Sequence, residues 1–456
     1  MLAIAAPLIL SQMSFTIQTS VDRILLTWHS PEAVAGATTA VFVTYVLTGL
    51  FIGTGEYLTA FVAQYHGAGR PRRIGPAMWQ GIYFTALAGA LSLALSPLMA
   101  PLFELAGHAP LVRRHEITFS RILLAGTFPV VLNATLASFF SGRGQTRVVL
   151  LVNLLATALN VVLDYLWIFG RGGWPAWGVA GAAWATVVSQ SVAAGVMLAL
   201  MLRRGHRAAY ATLSGWRLEP PLLRRLLRHG LPSGAQFSVE ILAFSAFMLI
   251  VGRIGTDALA ASGIAFNLNM IVFLPMLGLG VGVSSLVGRF QGGGRPGLAE
   301  RATWSAFWMS LAYMGLCGCA YVLAPRALLA PYAAGADPAA FAGVEQIAVV
   351  LLRFVALYSI FDMMNVVFAA GLKGAGDTVY PMAAVSGLAW GVMLPLTYVA
   401  CVSLGAGVYT AWWAVTVYVV CLGLLMLRRF RSGRWKALRV IEAPAPPAGD
   451  AEPEPA

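Results

Sequence analysis

Five carboxylates of this chain sit where charge is costly. Asp22, Glu56, Asp164, Glu240 and Asp362 each lie inside a long apolar run, whereas most of the 18 Asp and Glu residues fall between such runs or in the C-terminal tail. An acid at the centre of a membrane helix costs about 2.5–3.5 kcal/mol, so five left unpaired would cost more than ~12 kcal/mol. That is comparable to the net stability of a whole domain. Such groups must face a bundle interior or a wet cavity, find partners, or carry a proton, and they can then exchange a proton or a sodium ion for another cargo. Spacing adds detail. Asn160 precedes Asp164 by one helical turn, so the two share a face. An amide there supplies a donor to the carboxylate and a carbonyl oxygen able to ligate sodium. Asn365 follows Asp362 at i+3 and shares its face in the same way.

Other chemistries find little support. None of the six histidines is central to an apolar run, which argues against a histidine proton relay. No nucleophile–base set or metal-ligand cluster is visible, and Cys317, Cys319, Cys401 and Cys421 all lie in apolar stretches. Gly278, Gly280 and Gly282 follow no strand, and their role is close helix packing. The turns Gly142–Thr146 and Lys373–Thr378 lack the Gly-Lys-Ser/Thr of a phosphate loop. With no ATP site and no cofactor motif, any work must come from an ion gradient, and the chain is not expected to be an enzyme.

The elements that position these acids are membrane helices. Of 456 residues 59% are hydrophobic and only 11% charged, too apolar for an ordinary soluble protein. Twelve apolar runs reach the ~20 residues needed to cross a bilayer: 2–27, 38–64, 77–104, 119–141, 147–169, 177–203, 228–252, 257–287, 303–328, 346–371, 379–403 and 406–427. Backbone groups in lipid must be satisfied within the segment, so these are helices. The net charge of +12 does not indicate nucleic acid, because Arg and Lys concentrate in alternate loops. By the positive-inside rule those loops and both termini face the cytoplasm. Residues 2–27 lack the basic leader and small-residue cleavage site of a signal peptide, so they read as a retained first helix. Trp28, Trp174 and Trp177 fall at the expected outer interface, and Trp184, Phe237, Phe244, Phe266 and Trp308 are candidates to line a cavity for flat organic cations.

The second half of the chain repeats the first. Pro7 recurs at Pro232 and Gly69-Arg70-Pro71 at Gly294-Arg295-Pro296, an offset of 225 (232 − 7). Asn133 recurs at Asn365 and Thr146 at Thr378, an offset of 232 (365 − 133), which implies an insertion near residues 335–345. Six spans per copy give both copies the same orientation, as parallel repeats. The expected organisation is an N-lobe over residues 1–205, a basic cytoplasmic linker over 206–228, a C-lobe over 229–430, and a tail over 431–456. The tail is basic at first, then Pro-, Ala- and acid-rich, and reads as disordered and dispensable from Glu442 onward.

Several ordered motifs resemble one family. They are Pro7 with Val21-Asp22, the Phe61–Arg70 run, Ser141 to Thr146, Asn153 with Asn160-x-x-x-Asp164, and Gly178 to Thr186. In the second copy they continue as Gly230-Leu-Pro232, Glu240, Asp362 and Gly371 to Thr378. Over residues 1 to about 430 the chain resembles the multidrug and toxic compound extrusion (MATE) transporters. That resemblance implies an all-α membrane protein with twelve transmembrane helices in two parallel-related six-helix lobes around a central cleft. It also implies a secondary antiporter that exports cationic or amphipathic drugs in exchange for H+ or Na+. By position, Asp22, Asn160, Asp164 and Thr186 match a cation-coupling site in the N-lobe of one branch, and Glu240 and Asp362 match the C-lobe acids of another. Either pair of acids could hold Na+. Glu56, Asn153 and Asn365 are further candidates. The expected partners are small organic cations and the lipid bilayer of a bacterial inner membrane, with the protein acting as a monomer. The alternative is a flippase of lipid-linked oligosaccharides with the same architecture, which should carry a strongly cationic cleft.

Overall fold

A computed structural model of the chain describes residues 2–334 and 338–442. Among these residues the regular structure is helical throughout. The long helical segments are α1 (Leu2–His29), α2 (Pro31–Gly67, articulated at Tyr57), α3 (Pro71–Ala106), α4 (Pro110–Ala125 with Thr127–Ser141), α5 (Thr146–Phe169) and α6 (Val179–Met201). The second set is α7 (Pro220–Gly252), α8 (Thr256–Gly292), α9 (Pro296–Leu323), α10 (Pro338–Ala375), α11 (Val379–Ser403) and α12 (Val408–Arg431). Among the described residues ten helices are long and apolar enough to cross a membrane, eleven with α4 taken as one span bent by 47°. The twelfth segment, α1, is 28 residues long but carries Ser11, Gln12, Ser14, Thr16, Gln18, Thr19 and Asp22, so hydropathy alone does not mark it.

Short signals set the turns. Only Ser30 separates α1 from α2; its hydroxyl accepts from the Ala33 amide at 3.0 Å and Pro31 opens the next helix. Pro7 and Pro232 occupy equivalent places of the repeat, each inside its helix, where the missing N–H removes one hydrogen bond of the helical ladder.

Each lobe has its own apolar core. One large cluster, including Phe247, Leu279, Met363, Phe368 and Trp412, fills the C-lobe. Two clusters fill the N-lobe, one around Tyr65, Leu136, Phe139 and Met197 and one around Leu26, Phe103 and Ile168. The lobes meet through the half of the bundle nearer Arg70, Arg73, Arg143 and Arg289, called here the basic face. Gly67 lies against the Arg289 carbonyl and Gly292 against the Gln64 carbonyl, so close that a Cβ at either place would collide with backbone. These two contacts are exchanged by the 225-residue repeat, which takes Gly67 to Gly292 and Gln64 to Arg289. Gly53 on Gly234 and Gly278 on Ile9 form a second exchanged pair. Hydrogen bonds reinforce this seam. Thr54 donates to the Gly230 carbonyl (3.3 Å), Gln64 to the Gly374 carbonyl (3.0 Å), Tyr57 to the Lys373 carbonyl (3.0 Å) and Ser285 to the Ser141 carbonyl (2.7 Å).

Two boundaries differ from expectation. α7 starts at Pro220, so residues 220–228 are its first turns rather than linker, and Leu222 and Leu226 are buried in an N-lobe cluster. Both leucines face the protein, one helical turn apart. The remaining linker is tied to α3: Trp79 donates to the Thr212 carbonyl at 2.8 Å and Gln80 to the Arg217 carbonyl at 3.1 Å. The chain beyond α12 is ordered through Glu442, with Trp435 and Val440 buried. Glu442 therefore does not begin a disordered tail. The rest of that tail, and residues 335–337 of the expected insertion, lie outside the described residues.

Candidate functional site

The N-lobe acids lie on a polar seam between α1 and α5. On α5, Asn153, Thr157, Asn160 and Asp164 recur at i, i+4, i+7 and i+11, one helical face. On α1, Ser11, Ser14, Gln18 and Asp22 recur at i, i+3, i+7 and i+11. The two rows meet rung by rung. Asn153 donates to the Ser11 hydroxyl at 2.7 Å and Thr157 to the Ser14 carbonyl at 3.4 Å. With its amide nitrogen turned toward the acids, Asn160 donates to Asp22 Oδ1 (2.9 Å) and Asp164 Oδ2 (3.2 Å), and its oxygen accepts from the Thr186 amide on α6 (3.3 Å). At the end of the seam the Asp22 and Asp164 carboxyls thus converge on the same Asn160 amide.

The burial of this seam decides its chemistry. Asn160 and Asp164 have 0% of their surface exposed and Gln18 has 3%, while Asp22 is only half-buried. Two carboxyl groups gathered on one buried amide repel each other when both are ionised, and one proton held by the pair relieves this. Asp164 Oδ1 has no partner at all. A buried carboxyl oxygen without a donor suits a group whose ligand comes and goes. The seam thus unites all four expected N-lobe residues, Asp22, Asn160, Asp164 and Thr186, and Asn153 braces it from one end. Ser11, Ser14 and Gln18 were missed by sequence reasoning. Their 3–4–4 spacing up to Asp22 was the available signal.

The C-lobe acids form a looser group. Glu240 on α7 and Asp362 on α10 lie within electrostatic range of each other, and both act on the Tyr418 hydroxyl of α12, which is buried without a partner. Asn365 is buried beside them with its side-chain oxygen also unpaired. Glu56, next to the Tyr57 articulation of α2, is accessible although surrounded by protein, as a residue lining an internal cleft must be. One feature departs from expectation. Lys373 was placed in a turn, with no basic group central to the spans; α10 in fact continues to Ala375. That extra helical turn brings the Lys373 ammonium within electrostatic range of both Glu56 and Glu240. Glu56 and Lys373 belong to different lobes, so their charges face each other across the seam.

The aromatic expectations divide. Phe266 stacks on Trp412 at 4.9 Å and meets Phe244 edge-on at 5.6 Å within the C-lobe, whereas Phe237 covers Gly49 at the lobe contact. Trp184 and Trp308 are exposed. Trp174 and Trp177 cluster with Trp167 at the α5–α6 connection and Trp28 is exposed at the end of α1.

This architecture of two repeated lobes with embedded acids is that of a known group. The MatE family model matches residues 7–166 and 232–399. The chain belongs to the MATE family of membrane transporters. As a MATE protein it is a multi-pass membrane transporter and not an enzyme. It is 29% identical over 442 residues to the multidrug resistance protein NorM of Burkholderia vietnamiensis, covering 97% of this chain and 94% of that protein. It is 30% identical over 435 residues to a probable NorM of Mesorhizobium japonicum, covering 94% and 92%. Among solved structures it superposes on an outward-facing MATE multidrug resistance transporter with a TM-score of 0.86 at 19% identity, over 94% of each chain. A MOP superfamily transporter from Pyrococcus furiosus gives 0.84 at 20% identity, again over 94% of each chain.

Proposed function

We propose that the protein is a proton-coupled exporter of cationic or amphipathic organic compounds, working as a monomer in a bacterial inner membrane with its basic face and both termini in the cytoplasm. The observation that carries the reading is the convergence of Asp22 and Asp164 on the Asn160 amide. A shared proton is the simplest content of such a buried pair. With its nitrogen on both carboxylates, Asn160 turns its carbonyl oxygen onto the Thr186 amide, so it offers the acids a donor and not a sodium ligand. The names of the relatives, which are multidrug resistance proteins, support the cargo class. Orientation follows from the positive-inside rule applied to Arg70, Arg72, Arg73, Arg203, Arg204 and Arg207.

In this cycle the lobes, closed over the basic face, present the cleft to the outside. A proton entering at half-buried Asp22 passes to Asp164, and organic cation leaves. When the lobes rock the other way, the proton departs to the cytoplasm and the ionised pair favours a new cation. Glu240, Asp362 and Glu56 supply negative charge to the cleft wall. Lys373 offsets only part of it, so the cleft keeps the acidic balance a cationic cargo requires and lacks the cationic lining of a lipid-linked sugar flippase. One proton entering for one monovalent cation leaving moves no net charge, so the drive is the pH difference, about 1.36 kcal/mol per pH unit. A difference of about one unit therefore sustains roughly a tenfold cargo gradient. The reading is tested in everted vesicles with a fluorescent cation, imposing a proton gradient and a sodium gradient separately. Accumulation driven by the proton gradient alone supports it, and accumulation driven only by sodium refutes it.

A further inference from the structure

The segment after α12 touches both lobes. Trp435 stacks on Phe430 at 4.9 Å and belongs to the C-lobe core. Gln291 at the end of α8 donates to the Lys436 and Leu438 carbonyls, both at 2.7 Å, and Lys436 pairs with Glu300 at 2.7 Å. The chain then crosses the seam. Val440 and Ile441 are buried in an N-lobe cluster, and the Val440 amide donates to Gln64 Oε1 at 3.0 Å. Gln64 is the same side chain whose nitrogen donates to the Gly374 carbonyl of α10, so one amide joins α2, α10 and this strap. The crossing ends on Glu442. Its carboxylate accepts from Tyr65 (2.8 Å), Arg73 (3.0 Å) and Arg225 (2.5 Å), and its carbonyl accepts from Arg70 (3.2 Å).

We propose that residues 434–442 form a latch across the basic face that holds the lobes closed there and must leave its N-lobe seat each time the cleft opens inward. The geometry leaves little alternative motion. The strap is anchored to the C-lobe at Trp435 and Gln291, only a few residues from its N-lobe contacts at Val440 and Glu442. Separating Gly67 from Arg289 and Gly292 from Gln64 moves those two anchor points apart. A chain extends by at most ~3.3–3.6 Å per residue, and residues 435–440 are already committed at both ends. Either the Val440–Glu442 contacts break or the lobes stay shut. Arg73 and Arg225 reach Glu442 from α3 and α7, so the latch gathers both halves of the repeat into one ion cluster.

The latch rests on the rocking of the lobes and not on which ion drives it, so it is tested without reference to the ion. Val440→Cys with Gln64→Cys, joined by a short thiol cross-linker after replacement of the four native cysteines, should abolish export, with activity restored on cleaving the linker. Export at the uncross-linked rate while joined would overturn the proposal. Spin labels at Arg72→Cys and Arg301→Cys report the lobe separation on the basic face without any gradient. Glu442→Gln, and independently a chain ending at Ser432, should shift the distance distribution toward a longer, open population several-fold larger than in the parent. An unchanged distribution in Glu442→Gln would equally overturn it, and that variant retains the fold even if the truncated chain does not.

Discussion

Replacing Asp164 by Asn is the sharpest perturbation of the carboxyl pair. The amide has the shape of the acid and no exchangeable proton. One proton exchanged per cation supplies about 1.36 kcal/mol per unit of pH difference, or roughly a tenfold gradient. With a pH difference of about one unit imposed, D164N should therefore lower the sustained cation gradient from roughly tenfold toward unity. The protein should still fold, because a neutral amide at this fully buried place avoids the ~2.5–3.5 kcal/mol that an acid costs there. Its Tm should be equal to or above that of the parent. The assay is cation accumulation in everted vesicles, with an internal pH dye to count the protons that move when cargo is added. Asp22→Asn, at the half-buried end of the pair, should behave alike. Wild-type gradients together with wild-type proton flux in both D164N and D22N would refute the assignment, since each variant leaves only one acid of the pair that must share the proton.

Other outcomes follow from the same geometry. Asn153→Ala breaks the outermost rung of the seam; interhelical hydrogen bonds of this kind average about 0.6 kcal/mol with a maximum near 1.7, so Tm should drop by a few degrees while coupled export persists, and loss of export at unchanged Tm would contradict the bracing role. Gly67→Val drives a side chain into the Arg289 carbonyl, so spin-label distances should show the basic face held open, and a closed distribution would contradict the seam. Lys373→Met removes a cation within electrostatic range of both Glu56 and Glu240, so the KM for a monovalent organic cation should fall several-fold, and Glu56→Gln should raise it; unchanged values in both would take Glu56 out of the cleft wall. The Glu442 cluster should be indifferent to pH near neutrality. Burial raises its carboxyl pKa, but the hydrogen bonds from Arg225, its own backbone and Tyr65 outweigh that and hold it at about 2. A depressed value of this kind gives stability that is present above the ordinary carboxylate range near 4 and lost only as pH falls through about 2. In D22N/D164N, where the carboxyl pair no longer takes up or releases a proton, the spin-label distances on the basic face should accordingly be the same at pH 6 and pH 8.

Much of this molecule was legible in the chain because membrane helices announce themselves locally. Apolar length, the positions of Arg and the internal repeat need no tertiary information. The acids were legible for the same reason, since Asp164 in an apolar run is anomalous whatever surrounds it. What escaped were features set by long-range packing. Gln18 and Ser14 look like ordinary polar residues until α5 is laid against α1. Lys373 reads as a turn residue until α10 is seen to run one turn further than its apolar stretch. Val440 and Ile441 are two apolar residues in a polar tail, too few for a pattern, and only the seam under them explains their burial. The repeat itself also misleads about function. It places Phe247 at the position of Asp22, Leu396 at that of Asp164 and Phe15 at that of Glu240, so the scaffold is duplicated and the acids are not.

The account depends most on a proton held between Asp22 and Asp164 and released as cargo is taken up. Infrared difference spectroscopy of the purified transporter in lipid, recorded on adding an organic cation, reads that event directly. The account requires loss of a protonated-carboxyl C=O band on cargo binding, absent from the D164N difference spectrum. A cargo-induced spectrum with no carboxyl band, or one that survives unchanged in D164N and D22N, would contradict it.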